Sequence, residues 1–161
     1  MSLERGPRLC VDVGSVRVGV AVSDPDGLVA TPVDTVARVM GADGDTTTVP
    51  PDVVRIAHEV EERGVKVVYV GLPRHLSGAE GAASVAARAY AGTIARAVDP
   101  VPVRLVDERM STVSAHQALH ASGRAGRKHR AVVDQAAAVV ILQSALDGER
   151  HAATRVGELV R

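Results

Sequence analysis

Short β-branched runs alternate with stretches of helical period along this chain, and their order is its strongest structural signal. Arg8 to Val13 and Val16 to Val22 are apolar runs separated by Gly14-Ser15, a spacing that predicts an antiparallel hairpin closed by a tight turn. Ser23-Asp24-Pro25-Asp26-Gly27 is a dense turn signal. A third strand is expected over Leu28 to Val36, with Pro32 marking an edge or a break. Residues 41–51 show no apolar period, as in a mobile loop. Asp52 is placed to cap a helix running to about Arg63, with Val53, Ile56, Ala57 and Val60 on one face and Gly64 closing it. Val65 to Val70, bounded by Gly71, reads as a strand covered on both faces.

Gly71 to Gly81 forms a loop that leads into an alanine-rich helix over Ala82 to Val98, which Pro100 and Pro102 end. Val103 to Val106 is a short strand, and Ser111 caps a helix reaching about Ala121. A connector from Ser122 to Arg130 precedes a last helix over Ala131 to Leu146, and the tail, about 148–161, is expected to be weakly ordered. Three antiparallel strands, then helix–strand–helix–strand, then two helices describe one α/β domain over residues 1–161. Its sheet is mixed and five-stranded, with helices on both faces. The later strands should run parallel to the first, gathering their C-terminal ends at one rim, where open α/β sheets place their sites.

Composition narrows the chemistry. The chain has no Phe or Trp and only two Tyr, so its core is built from Val, Ala, Leu and Ile. Lys plus Arg and Asp plus Glu balance at 19 each; a polyanion partner would have to be met by local segregation of charge. The single cysteine, Cys10, excludes an intramolecular disulfide and a cysteine-based zinc site and suits a reducing compartment. No signal-type or membrane-spanning run is found, so a soluble, cytoplasmic protein without a membrane partner is expected.

On that topology three acidic positions are drawn toward the rim: Asp12 near the end of the first strand, Asp107-Glu108 after the last, and Asp134 in the first turns of the final helix. Carboxylates crowded together repel, and cations neutralise them. Oxygen ligation without Cys or paired His points to Mg²⁺ or Mn²⁺. Two such ions are the usual machinery of phosphodiester hydrolysis. The same residues also suit turn chemistry at Asp12 and helix-dipole charges at Asp107, Glu108 and Asp134. The pattern leaves both readings open.

Four blocks, in order, resemble the YqgF-type or RuvX-type proteins. They are Asp12-Val13-Gly14-Ser15 through Ser23-Asp24; Val70-Gly71-Leu72-Pro73 with Gly78-Ala79-Glu80-Gly81; Val106-Asp107-Glu108-Arg109-Met110-Ser111-Thr112; and Val133-Asp134-Gln135-Ala136-Ala137-Ala138. The resemblance implies a ribonuclease-H-like fold and a metal-dependent nuclease. The usual role is processing of the 5′ end of pre-16S rRNA; resolution of Holliday junctions or other branched DNA is the older proposal. Carried over by position, the catalytic and metal-holding set is Asp12, Glu108 and Asp134, with two Mg²⁺ or Mn²⁺ ions expected. Asp107 ranks below Glu108 because neighbouring strand residues point to opposite faces and the family's acid matches Glu108. Val16 stands where the family usually has Lys, and His75 and Ser77 where it usually has Asn and Asp.

Structured RNA or branched DNA is the expected partner, with the protein a monomer or homodimer. Arg17, just past the first turn, is placed to reach a phosphate or to pair with Asp24; Arg109 to reach one or to hold the acidic pair. Arg124, Arg127, Lys128, His129 and Arg130 form the one basic cluster, immediately before Asp134, and read as a clamp on the nucleic-acid backbone. His116 and His120 are taken as surface residues, and His75 is the histidine to test for activating a water. Two other classes stay in view. A nucleotide-binding module would need a second such domain to close around its ligand. A non-catalytic RNA-binding factor of ribosome biogenesis would keep the fold without the chemistry.

Overall fold

The computed structural model describes residues 3–39, 49–109 and 126–161, those from 126 to 134 by their backbone. One mixed sheet runs through it in the order β3-β2-β1-β4-β5-β6. The strands are β1 (Arg8–Val13), β2 (Arg17–Ser23), β3 (Ala30–Ala37), β4 (Val67–Leu72), β5 (Val103–Asp107) and β6 (Glu158–Leu159). β1 pairs antiparallel with β2 and β2 with β3, while β4 lies parallel to both β1 and β5. Every residue of β4 is buried, as expected of an apolar strand with helices on both sides.

Side-chain alternation divides the core into two layers. Leu9, Val11, Val68 and Val70 point to one face and pack with Val53, Ile56, Tyr90, Ala91 and Ile94 from α1 (Pro51–Arg63) and α2 (Ala82–Val98). Cys10 and Tyr69 point to the other and pack with Ala138, Ile141, Leu142 and Ala145 from α3 (Gly126–Ala152). The β1–β2 turn is closed by the Gly14 N–H donating to the Arg17 carbonyl at 2.8 Å. A Cβ at position 14 would lie 2.6 Å from that same oxygen, so the turn accepts only glycine.

Several expectations are corrected. The sheet has six strands rather than five, because the tail contributes β6 antiparallel to β5, with Leu159 opposite Arg104. The Arg104 guanidinium pins the tail by donating to the carbonyls of Val156 at 2.6 Å and Gly157 at 3.0 Å. Gly157 has φ +78° and passes so close to the Leu105 carbonyl that a Cβ would overlap it. α1 starts at Pro51, with Pro50 preceding it, and Asp52 makes no cap. Proline suits the first helical position because its missing N–H has no partner there anyway. That leaves Asp52 buried inside the first turn, accepting the Tyr90 hydroxyl at 2.7 Å. α3 starts at Gly126, five residues before the expected Ala131, and continues to Ala152. The helix expected over Thr112 to Ala121, residues 41–48 of the expected loop, and Arg124 lie outside the described residues.

At the sheet edge where β1 begins, a buried ion cluster ties α3 to the strands. Glu149 is 1% exposed and Arg8 4%. The Arg8 Nε donates to Glu149 Oε1 at 2.9 Å, Arg155 Nη1 donates to Oε2 at 3.0 Å, and the Tyr69 hydroxyl donates to the same carboxylate. Burial and that carboxylate raise the Tyr69 pKa above its ordinary value.

Candidate active site

The opposite edge, where β1, β4 and β5 end, carries the acidic residues. Val11 pairs with Val70, so the next positions, Asp12 and Gly71, continue the two parallel strands side by side. Gly71 in turn pairs with Val106 of β5. By alternation Asp12 shares the α3 face with Cys10, and Glu108 shares it with Val106, which packs into the α3 layer. Asp107 falls on the α2 face.

β1 and β5 are not neighbours, because β4 separates them. The two carboxylates nevertheless meet, and glycine is the reason. A Cβ built on Gly71 would stand 2.6 Å from Glu108 Oε2 and 3.0 Å from Ile141 Cδ1. The Glu108 side chain therefore lies over the bare backbone of β4 and reaches Asp12, with which it shares a hydrogen bond. Burial, followed by the Asp12 charge, pushes Glu108 up to about 7, with Asp107 adding to the shift. The same field reaches the neighbouring thiol. Cys10 is raised well above its ordinary value by burial first, then by Asp12 and Glu108.

Asp107 has a different partner. Its carboxylate meets the Arg109 guanidinium at 2.6 Å and accepts the Arg109 N–H at 3.0 Å. Burial draws its pKa upward, but these bonds and the Arg109 charge outweigh that and hold it below the ordinary carboxylate range. Arg109 also donates to the Leu76 carbonyl at 3.4 Å, bracing the β4–α2 loop against the end of β5.

The remaining sequence-derived positions distribute as follows. Position 134 is on α3, one turn before Ala138 and two before Ile141; its side chain lies outside the described residues, as do those of Arg127, Lys128 and Arg130 on the same first turns. Arg17 opens β2 beside the Gly14 turn. The alternative pairing of Arg17 with Asp24 is excluded, since the length of β2 separates them. Asp24 instead accepts the N–H groups of Asp26, Leu28 and Val29 at 3.2, 2.8 and 2.8 Å. His75 is exposed, its ring lying 2.9 Å from where a Gly81 Cβ would stand. Among the described residues no three His, Cys, Asp or Glu side chains are grouped for a metal; the described part of the site is the Asp12–Glu108 pair. A groove of about 630 Å³, lined by Val54, Ala57, Val60, Val65 and Val98 among others, opens at the far end of the sheet from these acids.

Two residues of the site escaped the sequence reading. Gly71 reads from the sequence as the boundary of its strand, and its role emerges only with the strand order. Arg38 donates to the Gly14 carbonyl at 3.1 Å and lies 5.5 Å from the centre of the Tyr90 ring, supporting the turn that follows Asp12. No sequence pattern pairs residues 14, 38 and 90.

A family model described as "RuvX: Holliday junction resolvase" matches residues 6–148. The chain belongs to the RuvX family. Curated relatives agree with the RuvX assignment. A protein of Kineococcus radiotolerans is 55% identical over 153 residues, covering 94% of this chain and 78% of its own length. One of Streptomyces avermitilis is 52% identical over 158 residues, covering 98% and 96%. Each bears the name "Putative pre-16S rRNA nuclease". Among solved structures, T. thermophilus RuvC in complex with a Holliday junction substrate superposes with a TM-score of 0.59 at 14% identity, covering 93% of this chain and 98% of that one. A second T. thermophilus RuvC structure gives 0.53 at 17% identity. At such identity the likeness establishes the fold, which is ribonuclease-H-like.

Proposed function

We propose that this RuvX-family chain is a divalent-metal-dependent nuclease that processes the 5′ end of pre-16S rRNA. The observation that carries the reading is the Asp12–Glu108 pair, brought together over Gly71 at the rim where the parallel strands end. Two adjoining carboxylates in a partly buried site must share either a proton or a cation, because both cannot ionise unaided at short range. Their oxygens suit Mg²⁺ or Mn²⁺. Asp12 and Glu108 would hold such ions together with Asp134, which the family motif supplies from α3, and three carboxylates suffice for two ions. When bound, the ions polarise the phosphodiester and make a water nucleophilic near neutral pH.

The chain's own groups have separable tasks. Glu108, raised to about 7 by burial and the Asp12 charge, holds a proton near neutral pH and would give it up where a cation is held. Arg109 keeps Asp107 ionised and turned away from the pair. Arg124, Arg127, Lys128 and Arg130 precede position 134 in the sequence and would contact backbone phosphates, as would Arg17 at the start of β2. Such contacts supply affinity and register rather than sequence specificity.

Asp12→Asn, Glu108→Gln and Asp134→Asn are each expected to lower Mg²⁺- or Mn²⁺-dependent cleavage of an RNA spanning the 5′ end of 16S rRNA. The loss should reach about a hundredfold or more, since even outer partners of metal ligands are worth roughly 10- to 100-fold. Far-UV circular dichroism should remain that of the folded protein. Full activity of the triple variant, or activity that survives excess EDTA, overturns the proposal. The family description favours a second reading, cleavage of branched DNA. A four-way junction assayed beside the RNA separates the two substrates. Salt-sensitive RNA binding with no cleavage under any divalent ion would leave the non-catalytic alternative.

A further inference from the structure

Leu76 stands out on the rim. It is 93% exposed, on the loop between the end of β4 and the start of α2. A solitary exposed leucine is ordinary on a protein surface; the construction beneath this one is not. The loop is folded back on itself, with the His75 N–H donating to the Ala79 carbonyl at 2.9 Å and the Gly78 N–H donating to the His75 carbonyl at 2.8 Å. Gly78 adopts φ +92°, which favours glycine. Ser84 of α2 closes the loop from below, its hydroxyl donating to the Pro73 carbonyl. The Leu76 carbonyl itself is held by Arg109, which is ion-paired to Asp107, the residue before Glu108. The side chain is thus presented to solvent on a backbone tied to the same strand end as the carboxylate pair.

We propose that Leu76 is a specificity-determining wedge that packs against an unstacked base where the nucleic acid departs from a continuous helix, setting the scissile phosphate over Asp12 and Glu108. The inference rests on the nuclease reading and deepens it by naming the substrate feature. Aliphatic side chains inserted at base steps are an established way to read deformable nucleic acid, and unstacking a regular step costs a few kcal/mol. A helix end, a branch or a bulge has already met much of that cost. A leucine at the rim therefore favours such sites over uninterrupted duplex. Neither tyrosine can stack there, since Tyr69 and Tyr90 are buried in the two core layers, and the exposed ring on this loop, that of His75, lies against Gly81. The step is noncovalent: no bond changes at Leu76.

The test compares wild type, Leu76→Ser and Leu76→Phe on two RNAs of equal length, one with a helix-to-single-strand junction and one continuous duplex. 2-Aminopurine is placed at the junction. Binding is read by fluorescence in Ca²⁺, without requiring cleavage, and single-turnover cleavage is read separately in Mn²⁺. Wild type should change the junction fluorescence on binding and cleave the junction RNA preferentially. Leu76→Ser should lose the fluorescence change and about tenfold of the preference, and Leu76→Phe should recover both, as expected when base packing is worth about 1–3 kcal/mol. If Leu76→Ser keeps the wild-type signal and preference while cleavage proceeds, the wedge is overturned and the nuclease reading stands. If the signal depends on Leu76 but no variant cleaves, the wedge stands and the nuclease reading fails.

Discussion

Replacing Gly71 with alanine isolates the feature that lets two non-adjacent strands share one site. The added methyl would stand 2.6 Å from Glu108 Oε2 and 3.0 Å from Ile141 Cδ1. Carbon–oxygen contacts settle at about 3.3 Å or more, so the carboxylate must retreat by about 0.7 Å or turn away from Asp12. Misplacing a reacting group by about 1 Å can cost a hundredfold in rate, so kcat is expected to fall between about 10- and 100-fold. The fold should survive. Alanine gains about 0.5–1 kcal/mol over glycine within a strand, and overpacking of this kind costs about 1–3 kcal/mol. The net is small beside the roughly 5–15 kcal/mol of an ordinary domain. A companion variant makes the result specific. Ile141→Val removes the Cδ1 contact and leaves the carboxylate contact, so Gly71→Ala/Ile141→Val should regain melting temperature without regaining cleavage. Single-turnover cleavage, Mn²⁺ titration and thermal melts of the three proteins provide the readouts. Wild-type kcat and Mn²⁺ dependence in Gly71→Ala would refute the claim that Glu108 works from above a bare strand.

The other predictions concern charge. Because the folded protein raises Glu108 from 4.5 to about 7, the metal-free fold binds that proton more tightly than the unfolded chain does, and stability falls as pH rises across that interval. Glu108→Gln lacks this loss and should exceed wild type by about 2–3 kcal/mol at pH 8 in EDTA, allowing for partial solvent screening. The difference should shrink to nothing below about pH 4, and an equal difference at pH 4 and pH 8 in urea melts would contradict it. Mn²⁺ should raise the melting temperature of wild type and leave that of Asp12→Asn nearly unchanged, since only a ligand bound to the folded state stabilises it. Glu149→Gln strands Arg8 and Arg155 without their carboxylate and should cost about 3–5 kcal/mol in urea unfolding.

Much of the architecture was legible because it depends on local pattern. β1 and α2 fall at the boundaries expected from the sequence, since each has an uninterrupted period and a clear terminator, Gly14 for one and Pro100 for the other. β6 was not legible: two residues carry no period, and what holds them is Arg104 reaching back from another strand. Asp52 was misplaced by two positions because its cap-like identity outweighed the stronger signal of Pro51 at the first helical position. For the site, the rim followed from strand direction, while the choice of Glu108 over Asp107 needed the family motif as well as alternation; the structure places the two on opposite faces with different partners. Strand order could not be read from the sequence, and with it went the role of Gly71, which has meaning only once β4 is known to lie between β1 and β5.

That order also explains why the α3 layer is polar at both ends and apolar between them. Cys10 and Tyr69 sit mid-sheet against Ala138, Ile141 and Leu142, contacts among small aliphatic groups that resist axial sliding weakly because one methyl resembles another. Directional bonds are needed to fix where the helix stands along the strands, and Glu149 supplies them, bound to Arg8 of β1, Tyr69 of β4 and Arg155 of the tail. Position 134 lies about 22 Å nearer the rim on the same helix, at 1.5 Å per residue. An α-helix is stiff over that length, so a register set at Glu149 is carried to position 134. The buried ion cluster at one edge of the sheet thereby bears on the acidic site proposed at the other: it fixes the height at which α3 stands along β1 and β4.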